Sequence, residues 1–238
     1  MSGAKDQKSY PKLDYDQYAR TLPADDLWGQ VKRTVAGSPV DSSHIERIVD
    51  AIRTGLQLAP GDSLLDVGCG NGALSRLLFD SCREFLGVDL SEYLISVAKS
   101  RFESLPAFEF LAQGVVEYLR QEPTPERFTK ALCYGSFAYF SAPDAAQSLH
   151  LLFDRFRNVR QLFIGNLPDL DRAADFYTTR TPSEEELCAH DSPIGIWRTK
   201  DEFATLANSA GWQVRFSSIP GLYSAHYRYD ALLYRPAN

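Results

Sequence analysis

The segment Ser63-Leu64-Leu65-Asp66-Val67-Gly68-Cys69-Gly70-Asn71-Gly72-Ala73-Leu74 constrains this chain more than any other. Its first five residues have the apolar density of a short buried strand, and the three closely spaced glycines mark a tight turn into a helix. Glycines at a strand-to-helix turn let a ligand approach the backbone, because no Cβ stands in the way. Asp66 stands two residues ahead of the first glycine, and Asp89 closes the next apolar run, Phe85-Leu86-Gly87-Val88. Two acids flanking a glycine turn restrict the ligand as well as the fold.

Around this segment, apolar runs and helical patterns alternate. Strands are expected at 63–67, 85–89, 108–112, 130–134 and 161–165. Helices are expected at 14–20, 27–34, 45–56, 73–80, 92–105, 115–120 and 143–156. Ser43 and Glu46 have the spacing of a capping box, as do Thr199 and Glu202, and Ser91 is placed to cap the helix after Asp89. Such alternation predicts an α/β fold, a Rossmann-like doubly wound and mostly parallel sheet. A helix from 199 to 210 and two strands, 212–219 and 229–234, follow. Those strands are expected to pair antiparallel at the sheet edge.

Residues 1–42 read as an N-terminal tail (1–12) and short helices, a possible cap, and residues 43–238 as the main domain. Within it, 168–198 is polar, acidic and aromatic without a period, and is expected to be a lid-like insertion. The 238 residues are 44% apolar, enough for a real core. The formal charge of −6 disfavours nucleic acid as a partner. The N-terminus has no apolar stretch of the kind a signal peptide needs, and no run reaches membrane-span length. The four cysteines, with no CxxC pair, read as reduced thiols of a cytoplasmic protein.

The turn admits two ligands. Gly68-x-Gly70-x-x-Ala73, with Asp89 about 20 residues on, satisfies the dinucleotide fingerprint formally. Asp66 opposes that: a carboxylate at the turn repels a pyrophosphate, and it suits a ligand with an ammonium group and no phosphates.

On these residues the chain resembles the class I S-adenosylmethionine-dependent methyltransferases, from about residue 43 to 236. Asp66-Val67-Gly68-Cys69-Gly70-Asn71-Gly72 matches the family's first motif, and Asp89 with Leu90 its ribose-binding acid. The resemblance implies that S-adenosylmethionine is the cofactor. It implies further contacts from Gln113, Gly114 and Val115 after the third strand and from Tyr134 after the fourth. The family often has an acid where Gln113 stands. The segment Tyr134 to Phe140 replaces the D/N-P-P-Y/F of many enzymes that methylate nucleic-acid amines. Tyr134 and Asn166 fall where the magnesium-dependent branch holds carboxylates, so no metal is expected.

Methyl transfer is an in-line displacement in which alignment of the acceptor counts most. A hydroxyl acceptor also loses a proton, and His190 and His226 are the candidate bases. Tyr139, Asn166, Tyr177, Arg180 and Tyr227 are the candidate acceptor contacts, and Tyr15, Tyr18, Trp28, Lys32 and Arg33 could close over the cofactor. The expected activity is methyl transfer to a small molecule, most readily at oxygen, by a monomer or homodimer with no membrane or nucleic-acid partner. N-methylation of an amine, a NAD-dependent oxidoreductase and a cofactor-binding protein without turnover stand as alternatives.

Overall fold

The computed structural model of the chain describes residues 12–35 and 37–236. The expected tail at 1–12 lies outside the described residues, apart from Lys12, which opens α1. Seven strands form one sheet: β1 Ser63–Val67, β2 Glu84–Asp89, β3 Phe108–Ala112, β4 Lys130–Tyr134, β5 Gln161–Pro168, β6 Gln213–Ser217 and β7 Arg228–Tyr234. Nine α-helices accompany it among the described residues: α1 Lys12–Arg20, α2 Leu27–Gln30, α3 Ser42–Leu56, α4 Glu92–Phe102, α5 Val115–Gln121, α6 Ala142–Asp154, α7 Ala173–Phe176, α8 Glu184–Cys188 and α9 Lys200–Ser209.

The sheet order is β3-β2-β1-β4-β5-β7-β6. The first five strands are parallel, and β7 pairs antiparallel with both β5 and β6. This is the expected Rossmann-like fold with its antiparallel C-terminal hairpin. Strand order reverses between β1 and β4, which opens a crevice at their carboxyl ends.

Successive strand side chains point to opposite faces, so each strand feeds two cores. Leu65, Val67, Leu86, Val88 and Cys133 pack with Leu119 of α5, Leu149 of α6 and Phe203 of α9. Leu64, Phe85, Leu132 and Tyr134 pack on the other face with Ile48 and Ile52 of α3 and Ile95 of α4. Burial of each such side chain contributes about 1.5–3 kcal/mol, and this two-sided core holds the strand ends in place.

Several local expectations change. The box at Ser43 and Glu46 does not form; Asp41 caps α3 instead, accepting the Ser43 amide proton at 2.9 Å. The helix expected at 73–80 is a 3-10 helix, Ser75–Ser81, whose Leu77 carbonyl accepts from Arg53 at 2.7 Å. The helix expected at 27–34 stops at Gln30. Lys32 adopts φ +52°, and Thr34–Val35 pairs with Ser38–Pro39 in a short hairpin. The box at Thr199 and Glu202 and the Ser91 cap are both present.

The insertion at 168–198 has structure of its own. Asp169 and Arg198 bridge its two ends, and α7 and α8 lie between them. Phe176, Tyr177, Trp197 and Tyr227 cluster with ring centres 4.8–5.9 Å apart. This aromatic cluster stabilises a segment that shows no helical or strand period.

Candidate functional site

The turn after β1 is built from left-handed glycines. Gly68, Gly70 and Gly72 have φ of +82°, +59° and +73°, a region closed to most side chains. A Cβ on Gly68 would stand 2.5 Å from that of Ser136, and one on Gly72 would stand 2.8 Å from the Phe110 ring. The Gly68 amide donates to Val88 at 2.7 Å, and its carbonyl accepts from Ser136 Oγ at 2.7 Å. The turn is thereby fastened to both neighbouring strands.

Asp66 is the penultimate residue of β1, just ahead of this turn, and is 3% exposed. Burial pushes its carboxyl up to about 7, against the opposing hydrogen bond from Ser75 Oγ at 2.6 Å. The Asp89 charge adds to the rise and the Arg33 charge opposes it, yet burial dominates, so a ligand with positive charge would relieve the site. Asp89 accepts the amides of Gly70 at 2.8 Å and Ser91 at 2.9 Å. Burial raises its carboxyl as well, and those two amides act against the rise. Burial also lifts the Cys69 thiol, which stays protonated.

These residues line a cavity of about 380 Å³ at the switch point. Asp66, Gly68, Cys69, Gly70, Asn71, Asp89, Leu90, Gly114, Val115, Tyr134, Tyr139 and His190, all singled out in the sequence, lie on its wall. The N-terminal segment reaches the same cavity through Tyr15, Trp28 and Arg33, and Tyr15 meets Tyr139 edge-on at 6.0 Å. No three metal-ligating side chains cluster among the described residues. No helix there is long and apolar enough to cross a membrane.

Residues 64–158 match the methyltransferase domain family. A ubiquinone biosynthesis O-methyltransferase of Xylella fastidiosa is 30% identical over 149 residues, 61% of this chain and 56% of that protein. A probable ribosomal RNA small subunit methyltransferase A of Methanosarcina mazei is 32% identical over 73 residues, 31% of this chain and 26% of that protein. The fold matches the crystal structure of magnesium protoporphyrin IX methyltransferase from Synechocystis PCC 6803 with bound S-adenosylmethionine. That match has a TM-score of 0.65 and 15% identity, and covers 99% of this chain and 100% of the other. Residues 64–158 are thus similar to a methyltransferase domain, and the chain has the fold of S-adenosylmethionine-dependent methyltransferases. It spans 23% to 56% of the length of the curated relatives compared with it.

Other residues expected at the methyltransferase site lie off the cavity wall. Gly72 shapes the turn from behind, against Phe110. The Gln113 amide donates to Gln121 at 3.0 Å and turns away from the cavity, because the neighbouring helix offers it a partner. Tyr177 and Arg180 both bond Glu186, so the insertion consumes the Arg180 charge within itself. Tyr227 belongs to the aromatic cluster, and His226 is exposed beside it with ring centres 4.7 Å apart. Asn166 sits in the left-handed region at φ +63°, in a register shift between β5 and β7.

Several wall residues escaped the sequence reading, Ser75, Ser136 and Glu117 among them. Ser75 neutralises part of the Asp66 burial cost, Ser136 fixes the Gly68 carbonyl, and Glu117 stands in the first turn of α5. Ser136 and Glu117 follow the ends of β4 and β3, where ligand contacts concentrate in such sheets; that position was the available signal.

Proposed function

We propose that this methyltransferase carries a methyl group from S-adenosylmethionine to a small-molecule acceptor, with a hydroxyl oxygen favoured. The carrying observation is that Asp66, Asp89 and the glycine turn share one cavity wall with His190. When bound, the cofactor supplies a methyl group already activated on a sulfonium. Asp66 suits its ammonium, Asp89 its ribose hydroxyls, and Leu90 with Val115 the faces of its adenine. The buried acid, whose carboxyl burial raises to about 7, is the feature of this chain that the cofactor's ammonium fits.

Trp28, Tyr15 and Tyr139 line the cavity with aromatic surface, which lowers the polarity around the charges inside it. His190 accepts the proton that a hydroxyl acceptor must lose. An amine acceptor held unprotonated needs no such base, and N-methylation is therefore the second reading. The formal charge of −6 supports a small molecule over RNA as acceptor.

Methyl-labelled S-adenosylmethionine offered with small phenols, small alcohols, matched amines and a small-subunit ribosomal RNA fragment tests this. Label on a hydroxyl compound is expected. Label on amines alone, or on RNA alone, contradicts the proposal.

A further inference from the structure

The insertion at 168–198 is anchored at its base. Asp169 and Arg198 bridge its two ends, and the rings of Phe176, Tyr177, Trp197 and Tyr227 pack beside them. Neither anchor lies in the tip, residues 189–196, which carries His190 to the cavity wall.

The tip has its own internal bonds. The Ser192 amide donates to the Ala189 carbonyl at 3.2 Å, and the Gly195 amide donates to the Ser192 carbonyl at 3.1 Å. Ser192 is buried; its Oγ accepts the Gly195 amide at 3.0 Å and donates to the Gly195 carbonyl at 3.1 Å. Two consecutive turns therefore fix the backbone from Ala189 to Gly195, and His190 lies within the first.

A separate set of contacts ties this tip to the segment after β4, where the 3-10 turn Phe137–Tyr139 lies. The Ile196 amide donates to the Ala138 carbonyl at 2.7 Å, and the Tyr139 hydroxyl donates to the Pro193 carbonyl at 2.9 Å. Gly195 rests on the same Ala138 carbonyl with φ +79°. A Cβ there would stand 2.5 Å from the Ala138 oxygen and 2.6 Å from its carbon, an approach open only to glycine. Phe137 and Ala138 are buried, and Ser136 just before them holds the Gly68 carbonyl at 2.7 Å. A continuous path of bonds thus runs from the glycine turn through Ser136 and Ala138 to the tip that bears His190.

We propose that Tyr139 and Gly195 are positioning residues, a clasp that sets His190 in register with the glycine turn. The proposal rests on the reading of His190 as the base. A base works only within hydrogen-bond reach of the proton it takes, and a misplacement of about 1 Å can cost about 10²-fold in rate. A base carried on an insertion needs its register set from the cofactor side, and the clasp supplies that contact. Tyr139 acts through the Pro193 carbonyl, not on the reacting atoms.

A double-mutant cycle tests the clasp, with label transfer to phenol as the activity. Tyr139→Phe keeps the ring on the cavity wall and removes the bond to Pro193. It is expected to lower kcat about three- to tenfold and to leave KM for S-adenosylmethionine within about twofold. Gly195→Ala drives a methyl group into the Ala138 carbonyl and is expected to lower kcat more than about tenfold. In both variants hydrogen exchange at the Ile196 amide should accelerate, and the NMR signal of the His190 ring should lose its shift on addition of S-adenosylhomocysteine. Because the clasp acts through His190, Tyr139→Phe added to His190→Ala should cost nothing further. A further loss equal to the full effect of Tyr139→Phe alone overturns the proposal, as does unchanged kcat in both clasp variants. His190→Ala with full kcat overturns the base reading instead. In that case, or if phenol takes no label, Ile196 exchange and the His190 signal decide the clasp alone, and values unaltered in both variants overturn it.

Discussion

Asp89 Oδ2 accepts the Gly70 amide proton at 2.8 Å, which ties the acid at the end of β2 into the glycine turn after β1. Its other oxygen accepts the Ser91 amide at 2.9 Å, at the start of α4. The acid proposed to hold the ribose thus also shapes the glycine turn. Asp89→Ala removes both roles. S-adenosylhomocysteine affinity is expected to fall more than tenfold, at least about 1.4 kcal/mol. Unchanged affinity by calorimetry would refute the assignment.

Asp66 makes binding depend on pH. Burial holds its folded-state value at about 7, above the ordinary 3.8. The folded protein keeps a proton that the unfolded chain has released, so this group's contribution to stability is complete below pH 3.8 and is lost as pH rises through about 7. A bound ammonium favours the carboxylate instead. S-adenosylhomocysteine affinity is therefore expected to rise from pH 6 and level off above about 7, with a proton released on binding. Titrations in buffers of different ionisation heat measure that proton, and Asp66→Asn should abolish it.

Asn71 was expected at the cofactor, and it also fastens the N-terminal segment. Its Nδ2 donates to the Leu27 carbonyl at 2.8 Å and to Gln30 Oε1 at 3.1 Å, while its Oδ1 accepts from Ala73 at 3.2 Å. Asn71→Ala leaves these buried groups without partners, at a cost of about 1–3 kcal/mol. Hydrogen exchange of residues 27–30 should accelerate. Unaltered protection there would show that Asn71 does not hold the segment.

The two histidines separate by position. His190 lines the cavity and His226 is exposed beside Tyr227. With a hydroxyl acceptor, His190→Ala should lower kcat by about 10²–10⁴ and leave cofactor affinity intact. His226→Ala should stay within twofold. A pH–rate profile that keeps its acidic limb in His190→Ala would remove His190 as the base.

The parts of the site that sequence made legible are those whose chemistry is local. β1 begins and ends where Ser63 to Val67 predicts, and Gly68, Gly70 and the two acids share one cavity wall. The parts that were hidden depend on partners far along the chain. Gln113 is turned by Gln121, Arg180 is consumed by Glu186, and Asn166 is re-aimed by Asp230 and Arg228. The insertion lacked a period because rings from residues 176 to 227, not a helical face, hold it together. The short reach of α2 arises from the left-handed Lys32, a position where no glycine or asparagine announces the turn.

The central claim concerns the ligand of the glycine turn, and thermal unfolding with two ligands tests it most directly. S-adenosylhomocysteine at a hundred times its Kd adds about 2.7 kcal/mol, a rise in Tm of roughly 5–10 °C for a chain of this size. NAD⁺ at the same concentration is expected to leave Tm unchanged. Stabilisation by NAD⁺ with none from S-adenosylhomocysteine would contradict the account.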